Sequence, residues 1–331
     1  MMPQNGRLGP SEFSLPTWAL TVLVCPHCRG ALSSTDSVLR CNRCSTAGNF
    51  DSGVVRFGVP ATDPSISWYK EVDGTRFYER MQIPFTMSSL DTPVYWHYLE
   101  SLKPDSAEKL IVDIGGGDGR NTEPWLAWGY KRVVATDAVF SSLARFHSRL
   151  RAEHPEWLER VLLVECDVRQ LPIVSAKADL VLAIEVLCYL NEDYELGLSD
   201  CRRLLSQEGR IMISERSWEG ALLTRLLYGG VQEMLAIADT RDLLDGDADS
   251  LVRSRTFIDE ELVAVVQKAG LTLLERKGLS LLPLVFGYLR QQDRFTTKDQ
   301  QYLQTLSDLL KNLGNVGQIR RTHVVVARNT P

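Results

Sequence analysis

From Lys109 onward, short apolar runs alternate with longer segments whose apolar residues recur at helical spacing. The runs fall at 110–114, 132–136, 161–166, 178–184 and 209–214, and an amphipathic helix is expected around Tyr194 to Leu205. Strands that are apolar on both faces belong inside a parallel sheet covered by helices on each side. This pattern predicts an α/β domain with a mostly parallel sheet. The first sixty residues read differently. They are poor in large apolar side chains, and their one clear pattern is a hairpin over 31–40, with Ser33, Ser34, Thr35 and Asp36 as the turn and Val38-Leu39-Arg40 as the returning strand.

A segment so short of apolar residues needs another means of holding itself together. Cys25-Pro-His-Cys28 and Cys41-Asn-Arg-Cys44, separated by twelve residues, supply one. Each CxxC forms a tight knuckle that aims two thiolates at one point, and two knuckles make the four-sulfur tetrahedron that Zn2+ prefers in closed structural sites. A redox CxxC belongs beside a βαβ pattern, which this segment lacks, and does not need duplication. His27 lies inside the first knuckle, but with four thiolates at hand a solvated side chain is expected. Seven cysteines, odd in number and with four in paired motifs, do not form a secreted disulfide framework. The first residues resemble neither a signal peptide nor a transit sequence. No apolar run reaches the roughly 18 residues that span a bilayer, and the longest, 220–238, is interrupted by Arg225, Gln232 and Glu233. A cytoplasmic location is the expectation.

The first apolar run passes directly into Gly115-Gly116-Gly117-Asp118-Gly119, and a helix follows from Pro124. Glycines between strand and helix let a ligand come closer than any Cβ would permit. The dinucleotide fingerprint GxGxxG does not fit, because Arg120 and Thr122 stand where its last glycine should be. Acidic-x-G-x-G-x-G fits, with Asp113, Gly115, Gly117 and Gly119. That order suits S-adenosylmethionine, whose ammonium group favours a carboxylate just before the bend and which has no pyrophosphate to place. Asp137 ends the second strand, where an acid accepts hydrogen bonds from both ribose hydroxyls. Asp167 and Val168 follow the third, as acceptor and backbone donor for adenine. A lone strand-end aspartate is more often a turn cap than a ligand, and Asp167 fits a cap before Leu171-Pro172 equally well. The weight of these positions is collective, because successive strand ends converge on the crevice where open α/β sheets bind ligands.

The segments VDIGGGDGR (112–120), VVATDA (133–138), ECDVRQLP (165–172), ADLVLAIEVLCYL (178–190) and LLSQEGRIMISE (204–215) closely resemble the class I S-adenosylmethionine-dependent methyltransferases of the type 11 kind. The pattern from Phe257 to Leu271 resembles their late helix leading into strand six, and 322–328 their final antiparallel strand. The resemblance implies a Rossmann-like seven-stranded sheet with helices on both faces, over about 95–328. It implies cofactor contacts from Asp113, Gly115, Gly117, Gly119, Asp137, Ala138, Asp167 and Val168, with Glu185 shaping the site. Residues 22–58, with CPHC, CNRC and the turn Asp51-Ser52-Gly53 before Val54-Val55, resemble Trm112-like zinc ribbons and the ribbon that opens some rRNA guanine methyltransferases. The expected organisation is a zinc ribbon over 1–60, linker and lid helices over 61–108, and a methyltransferase domain over 109–331. Insertions at about 218–255 and 284–317 are expected to build the acceptor pocket.

Methyl transfer chiefly requires alignment of nucleophile, methyl and sulfur in a dry site, and no residue stands out as a general base. Tyr189, past the fourth strand, is a weak candidate, as are His97 and Tyr78 before the core; packing of the lid is the blander role for the last two. A net charge of −5 and a pI near 5.7, with an acidic run at 239–249, disfavour a nucleic-acid substrate. A small-molecule acceptor is therefore expected, in natural-product, glycan or lipid-linked chemistry, with methylation at O, N or C. Two alternatives stand beside it: an rRNA or tRNA base methyltransferase, and a non-catalytic cofactor-binding module that docks a protein partner through the ribbon. The apolar stretches of the insertions also suit a homodimer face.

Overall fold

The computed structural model describes residues 15–35, 37–59, 64–71, 91–238, 240–247, 250–279 and 322–330, with a few single positions between 285 and 292. Tyr78 and nearly all of the insertion expected at about 284–317 lie outside the described residues. In chain order the strands are β1 Leu32–Thr35, β2 Val38–Cys41, β3 Ala47–Asp51, β4 Val54–Arg56, β5 Leu110–Ile114, β6 Arg132–Asp137, β7 Val161–Glu165, β8 Ala178–Ile184, β9 Leu205–Arg216, β10 Asp242–Asp247, β11 Ser250–Arg255, β12 Leu271–Leu279 and β13 Thr322–Asn329. The helices are α1 Ala19–Val22, α2 Pro64–Glu71, α3 Thr92–Ser101, α4 Glu123–Ala127, α5 Phe140–Glu153, α6 Tyr194–Leu204, α7 Trp218–Ala238 and α8 Asp259–Lys268.

Seven strands run β7-β6-β5-β8-β9-β13-β12, parallel from β7 to β9, with β13 antiparallel to both its neighbours. This is the expected seven-stranded Rossmann-like sheet. Two apolar clusters cover its faces. One joins Val112, Val134, Leu162, Val164 and Ile213 to residues of α1, α6 and α8, and the other joins Ile111, Val133, Leu163 and Leu180 to residues of α3, α4 and α5. The wholly apolar runs of the sequence are thus explained by burial on both sides.

The ribbon is not a separate appendage. β4 pairs in parallel with β7, Val54 opposite Leu163, Val55 opposite Val164 and Arg56 opposite Glu165. The hairpins β1–β2 and β3–β4 therefore continue the sheet to eleven strands. An uncovered β7 would present a row of unpaired N–H and C=O groups, and β4 covers it. Leu39 and Val55, both of the ribbon, belong to the same buried cluster as Val112 and Val164. The boundary expected at residue 60 separates two sequence patterns but not two cores. The first knuckle also docks on the domain, with Leu23 bridging Ile173 and the Val24 amide donating to the Pro172 carbonyl at 2.9 Å.

The first hairpin turns later than the sequence indicates. Thr35 pairs with Val38, so Ser33, Ser34 and Thr35 are strand residues. The second hairpin turns at Ser52 (φ 50°) and Gly53 (φ 80°), the doubly left-handed two-residue turn that matches strand twist. The first insertion begins as the helix α7, which breaks at Gly230 (φ 81°). Beyond it, the 242–247 part of the acidic run is a strand. This is β10, paired with β11, and Asp242 meets Arg253 at 2.7 Å.

A shared core has a measurable consequence. Leu39→Ala, although it lies in the ribbon, is expected to lower the stability of the whole chain by about 2–5 kcal/mol in a single cooperative transition. Denaturant unfolding followed by tryptophan fluorescence and far-UV circular dichroism checks this; two transitions with the larger one unmoved would contradict the shared core.

Candidate functional site

At the carboxyl edge of the sheet the backbone turns sharply after β5. Gly115, Gly117 and Gly119 have φ of 70°, 51° and 88°. A side chain at Gly115 would strike Val186, and one at Gly119 would strike Phe146, each within 2.3 Å of a carbon atom. At Gly117 the nearest atom to an added Cβ is Asp137 Oδ2, at 3.8 Å. The outer two glycines thus serve close packing, while the middle one presents bare backbone to the space in front of the bend.

The acids expected here hold the backbone in place. Asp137 accepts hydrogen bonds from the Gly117 amide (2.9 Å) and the Val139 amide (2.8 Å), tying the glycine bend to the end of β6. Burial raises its pKa to about 6, against the lowering effect of those amides. Asp113 is 1% exposed and accepts from the Thr122 hydroxyl at 2.6 Å. Burial raises it to about 7. It braces the bend from behind. Ala138 and Val168 are partly exposed beside these strand ends. Asp167 caps the short 3-10 turn 168–170 through the Arg169 amide (2.8 Å), and the Arg169 guanidinium spans both its oxygens at 2.7–3.0 Å. The capping role weighed for Asp167 is realised, and an adenine amine there would have to share the carboxylate with Arg169.

The end of β8 carries a second constellation. Glu185 has φ 53°, a conformation uncommon for any residue but glycine, and its amide donates to the Ser214 carbonyl. The Arg216 Nε lies 3.6 Å from its carboxylate. Arg216 also donates to the Tyr189 hydroxyl at 2.6 Å and to Ser254 Oγ at 3.0 Å. Arg216 escaped the sequence reading. Its signal was available, because a cation directly after the fifth strand run stands at the same edge as the acids. Glu215, also missed, is fully buried and accepts from the Leu187 (2.9 Å) and Cys188 (3.0 Å) amides. Burial raises it to about 8.

Residues before the core divide. His97 is exposed on α3 and stands apart from the edge, whereas Tyr95 is fully buried and its hydroxyl meets Ser214 (2.8 Å) and Thr322 (3.1 Å). A helix shows alternate faces at successive positions, and His97 falls on the solvent side. Helix α3 is tied to the glycine bend by Arg120, which pairs with buried Asp91 at 2.8 Å and whose carbonyl accepts from the Trp96 indole at 2.9 Å. The first insertion borders the edge, since Arg253 of β11 meets Glu192 at 3.2 Å and Ser254 meets Arg216.

The four knuckle cysteines come together. Cys28 and Cys41 sulfurs are 3.3 Å apart, Cys25 and Cys44 sulfurs 3.6 Å, and all four lie within 4.8 Å of one another. A tetrahedron of thiolates about 2.3 Å from a central Zn2+ has edges of about 3.8 Å, so the donor set and spacing fit that ion. His27 is exposed, outside the cluster.

Residues 112–213 match the family described as "Methyltransferase domain", of type 11. A putative S-adenosylmethionine-dependent methyltransferase from Listeria monocytogenes superposes with a TM-score of 0.51 at 14% identity, over 72% of this chain and 98% of that one. The 1,6-didemethyltoxoflavin-N1-methyltransferase of Burkholderia thailandensis gives a TM-score of 0.49 at 18% identity, over 86% and 96%. The CcbJ methyltransferase from Streptomyces caelestis gives 0.49 at 15%, over 72% and 95%. No curated protein matches the chain. The family match assigns a methyltransferase domain to residues 112–213, and the strand order described above is compatible with it.

The Glu215 carboxylate makes one prediction. Glu215→Ala leaves two buried amides without acceptors, at a cost of about 1–3 kcal/mol each. Hydrogen exchange at Leu187 and Cys188 is expected to quicken selectively; unchanged protection there would show that the carboxylate does not hold this turn.

Proposed function

We propose that this chain, an S-adenosylmethionine-dependent methyltransferase by the domain it carries, methylates a small-molecule acceptor held over the carboxyl ends of β8 and β9. The observation that carries the reading is the left-handed bend at Gly115, Gly117 and Gly119 with Asp113 behind it and Asp137 beside it. In this reading Gly117 offers its backbone to the amino-acid part of the cofactor, with Gly115 and Gly119 shaping the bend. Asp113 supplies negative charge for the ammonium group, and Asp137 supplies acceptors for the ribose hydroxyls. Ala138, Asp167 and Val168 border the adenine, and Glu185 stands at the reacting end. When bound, S-adenosylmethionine supplies a sulfonium-activated methyl group for in-line displacement.

Tyr189, Glu185 and Arg216 form the polar wall of the acceptor side. Arg216 holds the Tyr189 hydroxyl by its guanidinium, which also lies 5.2 Å from the ring centre. The hairpin β10–β11 and helix α2 close over this wall, with Ser65 donating to the Tyr189 carbonyl at 3.1 Å. A polar wall covered in this way suits a small acceptor. The acidic strand β10 at its rim opposes a phosphate backbone, which weighs against a nucleic-acid substrate. The ribbon does not need a macromolecular partner to explain it, since it is spent on covering β7. Its four cysteines, Cys25, Cys28, Cys41 and Cys44, hold a structural Zn2+ in this reading, closed by four sulfurs and so without a position for substrate.

Three measurements test this. Asp137→Ala is expected to weaken cofactor binding by about 1–3 kcal/mol through lost charge-assisted hydrogen bonds; unchanged affinity in calorimetry would remove Asp137 from the site. Asp113 and Asp137 have raised pKa values of about 7 and 6, and a cationic ligand favours their ionised forms. Binding near neutral pH should therefore release protons, with affinity rising from about pH 5.5 to pH 8. Calorimetry in buffers of different ionisation enthalpy reads the release, and an affinity independent of pH would count against both acids. Metal analysis is expected to give one zinc per chain, and its removal by a chelator to lower the melting temperature; a metal-free chain that melts unchanged would refute the structural ion.

A further inference from the structure

The sheet places three residues in one row across its carboxyl edge: Arg56 of β4 opposite Glu165 of β7, and Glu165 opposite Asp137 of β6. Parallel strands in register send such residues to the same face. Arg56 Nε meets Glu165 Oε2 at 2.7 Å, and the Glu165 side chain is only 3% exposed. The guanidinium lies over the Phe140 ring, 3.8 Å from its centre, at the start of α5, and a second nitrogen reaches Asp51 at 3.2 Å. The strand past Glu165 is pinned as well, because the Cys166 amide donates to the Asp137 carbonyl at 3.0 Å and the Phe57 amide to the Glu165 carbonyl at 3.2 Å. Burial of a carboxylate is tolerated only with a partner. For Glu165 the charged partner is a cation delivered by the ribbon.

We infer that Arg56 is a positioning residue for the cofactor: from the ribbon it neutralises Glu165 and thereby fixes the ends of β6 and β7, with Asp137 and the 166–168 turn, in the geometry that holds the adenosyl group. This rests on the cofactor reading above. The ribbon then contributes to binding without touching the ligand. Its contribution passes through one ion pair and one stacked ring. Without Arg56 the buried Glu165 carboxylate loses its cation, and its turning toward water disturbs the strand end beside Asp137.

The test uses the full, metal-loaded chain and measures S-adenosylmethionine affinity by calorimetry, well below the melting temperature of each variant. Arg56→Met is expected to weaken binding at least tenfold, and Arg56→Lys to recover most of the loss. Arg56→Met combined with Glu165→Gln removes both charges and is expected to bind within about threefold of the unaltered chain, because no carboxylate is left stranded. A lower melting temperature with affinity within twofold of the unaltered chain would assign Arg56 to stability alone and overturn the inference. So would a double variant that binds no better than Arg56→Met. If the unaltered chain itself does not bind the cofactor, the reading of the site falls and the inference falls with it.

Discussion

Where the strands of a parallel sheet stop, backbone amides are left pointing into the crevice that a ligand must share, and each needs an acceptor. This chain meets that need with carboxylates. Asp137 takes the amides of Gly117 and Val139, Glu215 those of Leu187 and Cys188, and Asp200 that of Leu171 at 2.6 Å. Each bond fixes one of the turns from which the site is built. In the function proposed above, Asp137 both supports the backbone of the glycine bend and serves the ligand.

Holding carboxylates in a packed edge raises their pKa unless a cation lies beside them. Burial lifts Asp113 and Glu215 to about 7 and 8. Glu165 and Asp200, also buried, have guanidinium partners. Arg56 meets the first, and Arg29 (2.8 Å) with Arg203 (2.7 Å) meets the second. Two of these three arginines come from the first sixty residues. The ribbon thus supplies charge at two points where the α/β domain buries acid, and strand β4 supplies the backbone pairing that β7 lacks. A domain covered in this way tolerates an apolar, two-faced β7 at what would otherwise be its margin.

Sequence and structure agree best where the signal is local. The strand runs beginning at Leu110, Arg132, Val161 and Ala178 lie where the apolar pattern puts them, and the glycine bend adopts the left-handed conformations that only its composition permits. The CxxC pairs meet as two knuckles must. Signals that depend on a partner far along the chain were illegible. Arg56 reads as an ordinary surface cation until the strand that flanks it, β7, is known. His97 and Tyr95, two residues apart on one helix, could not be told apart as exposed and buried without knowing which face meets the sheet. The strand in the acidic run near 245 was not legible either, because its partner is another polar segment, and pairing between two such segments leaves little apolar alternation to detect.

By itself the sequence determined the α/β class, the four-sulfur cluster and the nature of the ligand bend, because each rests on the chemistry of residues within a few positions of one another. Only the tertiary structure decided that the ribbon is part of the sheet, that Asp167 is engaged by Arg169, and that Arg216 joins Glu185 and Tyr189. The first follows from register between strands more than a hundred residues apart, the second from competition among side chains for the same oxygen, and the third from the way β9 lies beside β8. None is written in the local spacing of residues, since contact across a sheet is fixed by packing of the whole core.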